Sequence, residues 1–232
     1  MSSSLTVRDR LSAPLRRRIL QDSVNPNAIR SLVAHLTSKV EAGKDLHSIP
    51  YRHANNFNKI PLYTDSRFGI TVVLHVWRDH ISSVDMDSDI HDHRWDFSSQ
   101  ILIGTLRNRL YEIDKDGEEQ QAWAYRSVAS GSTYGLIETA GIVRIQPSSA
   151  AQFGAGSRYY QRGHLLHTAA PLALPTVTVV ARGCPERSAA TILTEAGRLP
   201  SGGAGEELSA APLSPDELLD DLRLASDALK AL

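Results

Sequence analysis

Ser88-Asp-Ile-His-Asp-His-Arg-Trp-Asp-Phe-Ser-Ser-Gln-Ile-Leu-Ile-Gly-Thr-Leu106 is the stretch whose reading decides the fold. His91 and His93 stand one residue apart, and on an extended strand alternate side chains share a face. Both imidazoles can therefore aim at one point between two sheets. Neutral imidazole is a good ligand for iron, zinc, nickel or copper. Phe97 to Ile103 is mostly apolar or β-branched and carries the chain away as a strand, and Gly104 permits a tight turn or a bulge. Alone, such a pair also describes two surface histidines at a strand start. The strand and glycine corner that follow point instead to a metal site on the rim of a β-barrel.

The second half of that site is expected in Arg158-Tyr-Tyr-Gln-Arg-Gly-His-Leu-Leu-His-Thr-Ala-Ala170. A tyrosine-rich strand ends at Gly163, and His164 and His167 follow. Two histidines alone would hold a metal weakly, and a third closes a facial set. His167 is the expected third ligand, because it leads towards a strand, Pro175–Arg182, that would pair beside His91 and His93 in a closed barrel. His164 stays open as an alternative, since Gly163 could reset the register. Asp96 is a displaced carboxylate ligand, an acceptor for a ligating imidazole N–H, or one end of a salt bridge. Asp92 should point away from both histidines.

Outward from this centre the pattern is period two. Ile70, Val72, Leu74 and Val76 share one side of a strand that starts at Gly69, and Thr71, Val73, His75 and Trp77 share the other. Further strands are expected near 97–103, 107–113, 120–127, 134–138, 141–146, 158–161 and 174–182. Turn signals at Asp116-Gly117, Ser130-Gly131, Ala140-Gly141, Pro147 and Pro171 separate them. Many short strands with few helical patterns between them argue for an antiparallel barrel or sandwich rather than βαβ units. The expected fold is mainly β: an antiparallel barrel with N-terminal helices and a C-terminal helix.

Before the barrel, residues 5–45 read as helices, with Pro14 interrupting the first. Asn25-Pro26 starts a second helix whose stripe is Ile29, Leu32, Val33, Leu36 and Val40. Residues 46–69 read as a long ordered loop or an edge strand, with Tyr63, Thr64 and Arg67 as candidate pocket residues. Residues 1–68 thus form a helical extension and loop, and 69–194 the barrel. Residues 195–214, rich in Gly, Ser and Pro, read as a flexible linker. Residues 215–232 read as a last helix capped by Ser214. Its leucine face fits the barrel or a partner subunit, so a homodimer is one outcome.

Composition bounds the function. The chain has 232 residues, 41% hydrophobic and 22% charged, with a formal net charge of −1. That balance argues against a broad nucleic-acid face, although Arg16, Arg17 and Arg18 are adjacent. The lone Cys184 rules out an intrachain disulfide framework, which fits a reducing compartment. No apolar run approaches a membrane span, and the first ten residues lack a signal-peptide core. No membrane association is expected, and the expected location is cytoplasmic.

The two histidine segments resemble a cupin, a small double-stranded β-helix barrel. His91, His93 and Gly104 match the first cupin motif, while Phe97 falls on its acidic ligand and Asp85 on its opening glycine. Gly163 and His167 match the second motif with one extra residue between them and no proline. The resemblance covers about residues 60–185. Within cupins, Ile90-His-Asp-His followed by Gly104-Thr-Leu106 is most similar to thiol dioxygenases of the cysteine dioxygenase type. That resemblance implies iron(II), Fe(2+), held by His91, His93 and His167 without a carboxylate. Some of those enzymes crosslink a cysteine to a tyrosine, and that cysteine falls on Ser98. Their Ser-His-Tyr relay has no His or Tyr to occupy it within Thr176–Arg182.

The expected function is therefore a mononuclear non-haem iron oxygenase acting with O2 on a small polar metabolite, such as an amino acid or derivative. The alternative is a metal-binding cupin without redox chemistry, an isomerase, lyase or sensor holding Zn(2+) or Ni(2+). Arg144, Arg158 or Arg182 would clamp a substrate carboxylate. Of Tyr159 and Tyr160, which alternate across a strand, one would face the pocket. Tyr159, Arg144 and Arg182 are the candidate catalytic residues.

Overall fold

In the computed structural model, which describes residues 12–78, 88–126, 133–201, 207–209 and 211–232, two antiparallel sheets face each other. The first is ordered β13(Ala211–Pro212), β1(Tyr51–His53), β2(Phe57–Asp65), β3(Ile70–Trp77), β10(Thr176–Arg182), β5(Phe97–Ile103), β8(Arg158–Gln161). The second is ordered β11(Ala189–Thr194), β4(Ile90–His91), β9(Leu166–Pro171), β6(Thr105–Arg126), β7(Thr133–Gly154), β12(Glu207–Ser209). From β3 onward the chain alternates between them: β3, β5, β8 and β10 in one, β4, β9 and β11 in the other. The β6–β7 hairpin is inserted in the second. This strand order is a jelly roll, a cupin-like double-stranded β-helix.

The alternation in β3 has a direct structural consequence. Ile70, Val72, Leu74 and Val76 join Ile60, Leu102, Val177, Val179 and Ala181 on the outer face of the first sheet. Three helices cover that face: α1(Ala13–Ser23), α2(Pro26–Glu41) and α3(Pro215–Ala231). Leu20, Ile29, Val33, Leu36, Leu218, Leu222 and Leu229 supply their buried side chains. Fully buried leucines such as Leu222 and Leu229 contribute about 2–3 kcal/mol each. The alternate residues of the same strands, Lys59, His75 and Arg182 among them, are turned towards the second sheet.

The caps follow the expected rules. Asn25 accepts from Asn27 N at 3.0 Å, with Pro26 in the first turn. Ser214 and Glu217 close a reciprocal capping box. Pro14 sits in the first turn of α1 and starts the helix rather than interrupting it. Residues 5–11 lie outside the described residues. The last helix packs against α2 and the first sheet of its own chain.

Several expected turns lie inside strands. Asp116-Gly117 belongs to a four-residue bulge, Asp114–Gly117: Ile113 and Glu118 both pair with Ile145, and β6 continues beyond. Ala140 is left out between the pairs Ala122–Gly141 and Trp123–Thr139, and Pro147 pairs with Tyr111. Turn residues give bulges here because a long partner strand keeps pairing on either side of them. Ser130-Gly131 lies outside the described residues. The long hairpin then wraps the second sheet. Its first half pairs with β9 and residues 121–126 pair with the free edge of β11. A small core of Ala122, Ile145, Leu166 and Leu193 fills the ring this makes.

The stretch 46–69 contains β1 and β2, and β2 pairs along β3 on the inner side of β1. Within the glycine-rich stretch 195–214, residues 207–209 pair with β7 and residues 211–212 pair with β1. Backbone pairing at two sheet edges therefore orders part of a segment whose composition suggests a linker. Among the described residues, no helix is long and apolar enough to cross a membrane.

Candidate metal centre

His91 lies in β4 and pairs in register with His167 of β9. His93 follows β4 and is fixed by its own backbone, His93 N donating to Gly163 O at 2.7 Å. The three rings therefore meet between the sheets. Their centroids are 4.6–5.1 Å apart. One nitrogen from each lies within 4.8 Å of the other two. His164, the alternative third histidine, is exposed and outside the group.

The hydrogen bonds around the group orient it. His91 Nδ1 lies 2.7 Å from Asp89 O, and His167 Nδ1 lies 3.1 Å from Asn108 Oδ1. Both partners are acceptors, so each Nδ1 carries the proton and each Nε2 turns a lone pair inwards. Asn108 in turn donates to Gln161 Oε1 at 2.7 Å, which locks the direction of its amide. Ligating histidines are held in this way. His93 Nε2 and His167 Nε2 are 3.0 Å apart. Metal–nitrogen bonds of about 2.1 Å meeting at right angles place two nitrogens about 3.0 Å apart, so the pair fits adjacent ligands of one ion.

The electrostatics agree with that use. Burial, followed by the neighbouring imidazoles, holds His93 and His167 well below the usual histidine range. Burial also lowers His91, against an opposing pull from Asp89 and Asp92. All three are neutral at pH 7, the form that binds metal.

The carboxylates nearby are engaged elsewhere. Asp96 accepts from Tyr160 Oη and from Gly163 N at 2.8 Å, and so anchors the turn ahead of His167. It lies outside the three-histidine group, and these hydrogen bonds go to no imidazole. Asp92 points away, accepting from Thr191 N at 2.6 Å and from Arg187 at 2.8 Å. Phe97 stands at the position of the cupin acid and packs edge-on to His93, 5.0 Å between centroids.

Two glycines are required by contact. A Cβ on Gly163 would lie 2.5 Å from Trp95 O and 2.8 Å from His93 O, so only glycine lets this turn pack under the metal-site segment. Gly104 has φ +76°, and a Cβ there would lie 2.2 Å from Thr176 Oγ1.

The structure distributes the candidate catalytic residues unequally. Arg144 does not reach the centre. Its neighbour Ile145 turns into the small hairpin core, and alternation turns Arg144 outward to Glu119 at 3.2 Å. Arg158 also faces away, donating to Gln100 and to Gln21 O. Arg67 pairs with Asp65 in the β2–β3 turn, and Tyr63 is exposed. Arg182 lies over the Trp95 ring at 4.6 Å, and Trp95 stacks against His93. Tyr159 is the inward member of its pair, stacked on Phe153 at 4.3 Å and 6.0 Å from Phe97. Burial pushes its hydroxyl up to about 12.

Other residues at the site carry no local sequence signal. Asn108 and Gln161 sit on ordinary strands, and only pairing brings them to His167. Arg187 binds Asp92, His93 O and Gly163 O together, clamping both halves of the site. Lys59 of β2 pairs with His75 of β3, and both face inwards. The alternation of β2, with Ile60 in the helix-covered core, is visible only once its register is known.

Fold and site together define a cupin-like barrel with a three-histidine group between its sheets. No protein-family profile matches the chain. No curated protein matches it either. Among solved structures it is similar to KdgF from Halomonas sp., at 11% identity and TM-score 0.32 over 57% of this chain and 82% of that one. An RmlC-like cupin from Shewanella frigidimarina NCIMB 400 gives 10% identity and 0.32 over 61% and 87%. Hydroquinone 1,2-dioxygenase PnpCD gives 9% identity and 0.35 over 67% and 72%. The cupin-like assignment rests on this chain's own strand order and not on these likenesses.

Proposed function

We propose that this chain is a mononuclear non-haem iron oxygenase, joining O2 to a small polar metabolite such as an amino acid or a derivative. The observation that carries the reading is the convergence of three neutral imidazoles, with His91 and His167 presenting Nε2 and, among the described residues, no carboxylate in the group. Such a donor set suits a divalent transition metal, and iron(II) bound there would supply open positions for O2 and a chelating substrate side by side. Asn108, held by Gln161, keeps the His167 ring oriented. Phe97 and Trp95 shield the pocket from water on the His93 side. Tyr159 keeps its proton across the physiological range, so its part in this reading is to donate a hydrogen bond.

The reading does not extend to thiol dioxygenation as such. Ser98 lies on the helix-covered face of β5 with Gln100 and Leu102, turned away from the pocket. Thr176–Arg182 supplies no His or Tyr. The same three imidazoles also suit zinc(II) or nickel(II), which would make the protein a Lewis-acid isomerase or lyase, or a sensor. Metal content of the purified protein and oxygen uptake against a panel of amino acids and thiols separate the readings. About one iron per chain with substrate-dependent uptake supports the oxygenase. Zinc or nickel without uptake replaces it with the second reading, and a chain that takes up no metal refutes both.

A further inference from the structure

Beside the histidine group, the inner face of the first sheet carries two basic side chains, Lys59 and Arg182, without a counter-charge among the described residues. Lys59 stands in a row across the sheet between Tyr51 and His75, its Nζ 5.8 Å from the Tyr51 ring. Arg182 lies on the same face at the end of β10, over Trp95. Neither makes a hydrogen bond or an ion pair with any described residue. Both residues are half-buried. His75 adds an Nε2 without a hydrogen-bond partner among the described residues.

Charges in such an enclosed place are ordinarily paired. Here Arg182 acts on Lys59, and the phenols of Tyr51 and Tyr125 and the guanidinium of Arg94 act on Arg182. No carboxylate of a described residue is among them. The pair also borders the metal site: Lys59 acts on His93, and Trp95 contacts both Arg182 and His93.

We infer that Lys59 and Arg182 form an oxyanion-binding pole of the pocket, so that the substrate is a small anion bearing a carboxylate. Its negative group sits between the two cations, and the remainder of the molecule reaches the three histidines. This rests on the proposed metal site for the substrate's other end, but the pole itself needs no metal. Lysine supplies a compact charge and arginine a planar fork, a combination suited to one carboxylate held from two sides. A phosphate would satisfy the same donors, and the probes below distinguish the two.

The test uses the full chain, zinc-loaded and metal-free, with succinate, inorganic phosphate and uncharged succinamide as probes in calorimetry. Succinate should bind both forms of the wild type, and succinamide neither. Lys59→Met and Arg182→Gln should each weaken succinate at least tenfold, and Lys59→Arg should restore most of the loss. Both weakened variants should keep the wild type's metal content, which separates this pole from the histidine site. If the wild type takes no metal yet the metal-free chain binds succinate through Lys59, the pole stands and the oxygenase reading fails. Phosphate binding tenfold tighter than succinate would overturn the carboxylate assignment. Failure of both anions, or equal binding by Lys59→Met, would overturn the pole.

Discussion

Replacing Lys59 with methionine should make the protein more stable. Methionine keeps the hydrocarbon stem and removes the charge. Burial, and then Arg182, bring Lys59 from 10.5 down to about 7. At about 1.4 kcal/mol per pH unit, that difference corresponds to roughly 5 kcal/mol against the charged form in the folded protein. Lys59 keeps some solvent contact, and screening should reduce the effect to about 2–3 kcal/mol at pH 7. The pH dependence has a definite sign. Between about 7 and 10.5 the unfolded chain holds a proton on Lys59 that the folded chain has released, so this lysine's contribution makes stability rise with pH. The gain is complete above the unfolded value and is lost as pH falls through the folded one. Urea unfolding of wild type and Lys59→Met at pH 7 and pH 10 is the assay. The variant should lead by about 2–3 kcal/mol at pH 7 and by less than about 1 kcal/mol at pH 10. Equal stabilities at pH 7, or a lead that persists at pH 10, would refute the claim that this cation is enclosed without a partner.

Four further expectations concern the site and its supports. His167→Ala should lose most bound metal by elemental analysis, whereas Asp96→Asn should retain it, since Asp96 serves Tyr160 and Gly163. Because burial holds the three site imidazoles below 6.5, protons compete for them only at lower pH, and half-release of metal in a pH titration should fall below about 6.5. Gly163→Ala should lower the unfolding free energy by about 2–3 kcal/mol and weaken metal binding, because the added Cβ strikes Trp95 O and His93 O. Asp221→Ala should cost about 3 kcal/mol in urea unfolding, since the carboxylate is fully buried and joins α3 to Asn58 and Arg78.

Much of the fold and part of the site were legible in the residues themselves. Alternation in Ile70–Trp77 separated the helix-covered face from the inner one, because side chains on a strand alternate whatever the partner strand is. The His91–His93 spacing, the cap at Asn25 and the cap at Ser214 are local for the same reason: each depends on geometry within a few residues. His167 was expected from a glycine-histidine segment, and the register against His91 places it there.

What only the tertiary structure decided depends on partners far away in sequence. Asp116-Gly117 and Ala140-Gly141 have turn chemistry, yet they make bulges, because pairing along β6 and β7 continues on both sides. Asn108 and Gln161 orient His167 only because β6 lies beside β9 and β8 crosses opposite them. Arg144 and Arg182 look alike in the sequence; strand registers send one to Glu119 outside and the other to Trp95 inside. Lys59 lies in a stretch without a period, read as a long loop or an edge strand, and the pairing of β2 with β3 turns it inwards. A side chain's local period is set by its own backbone, but the environment it enters is set by whichever strand pairs beside it.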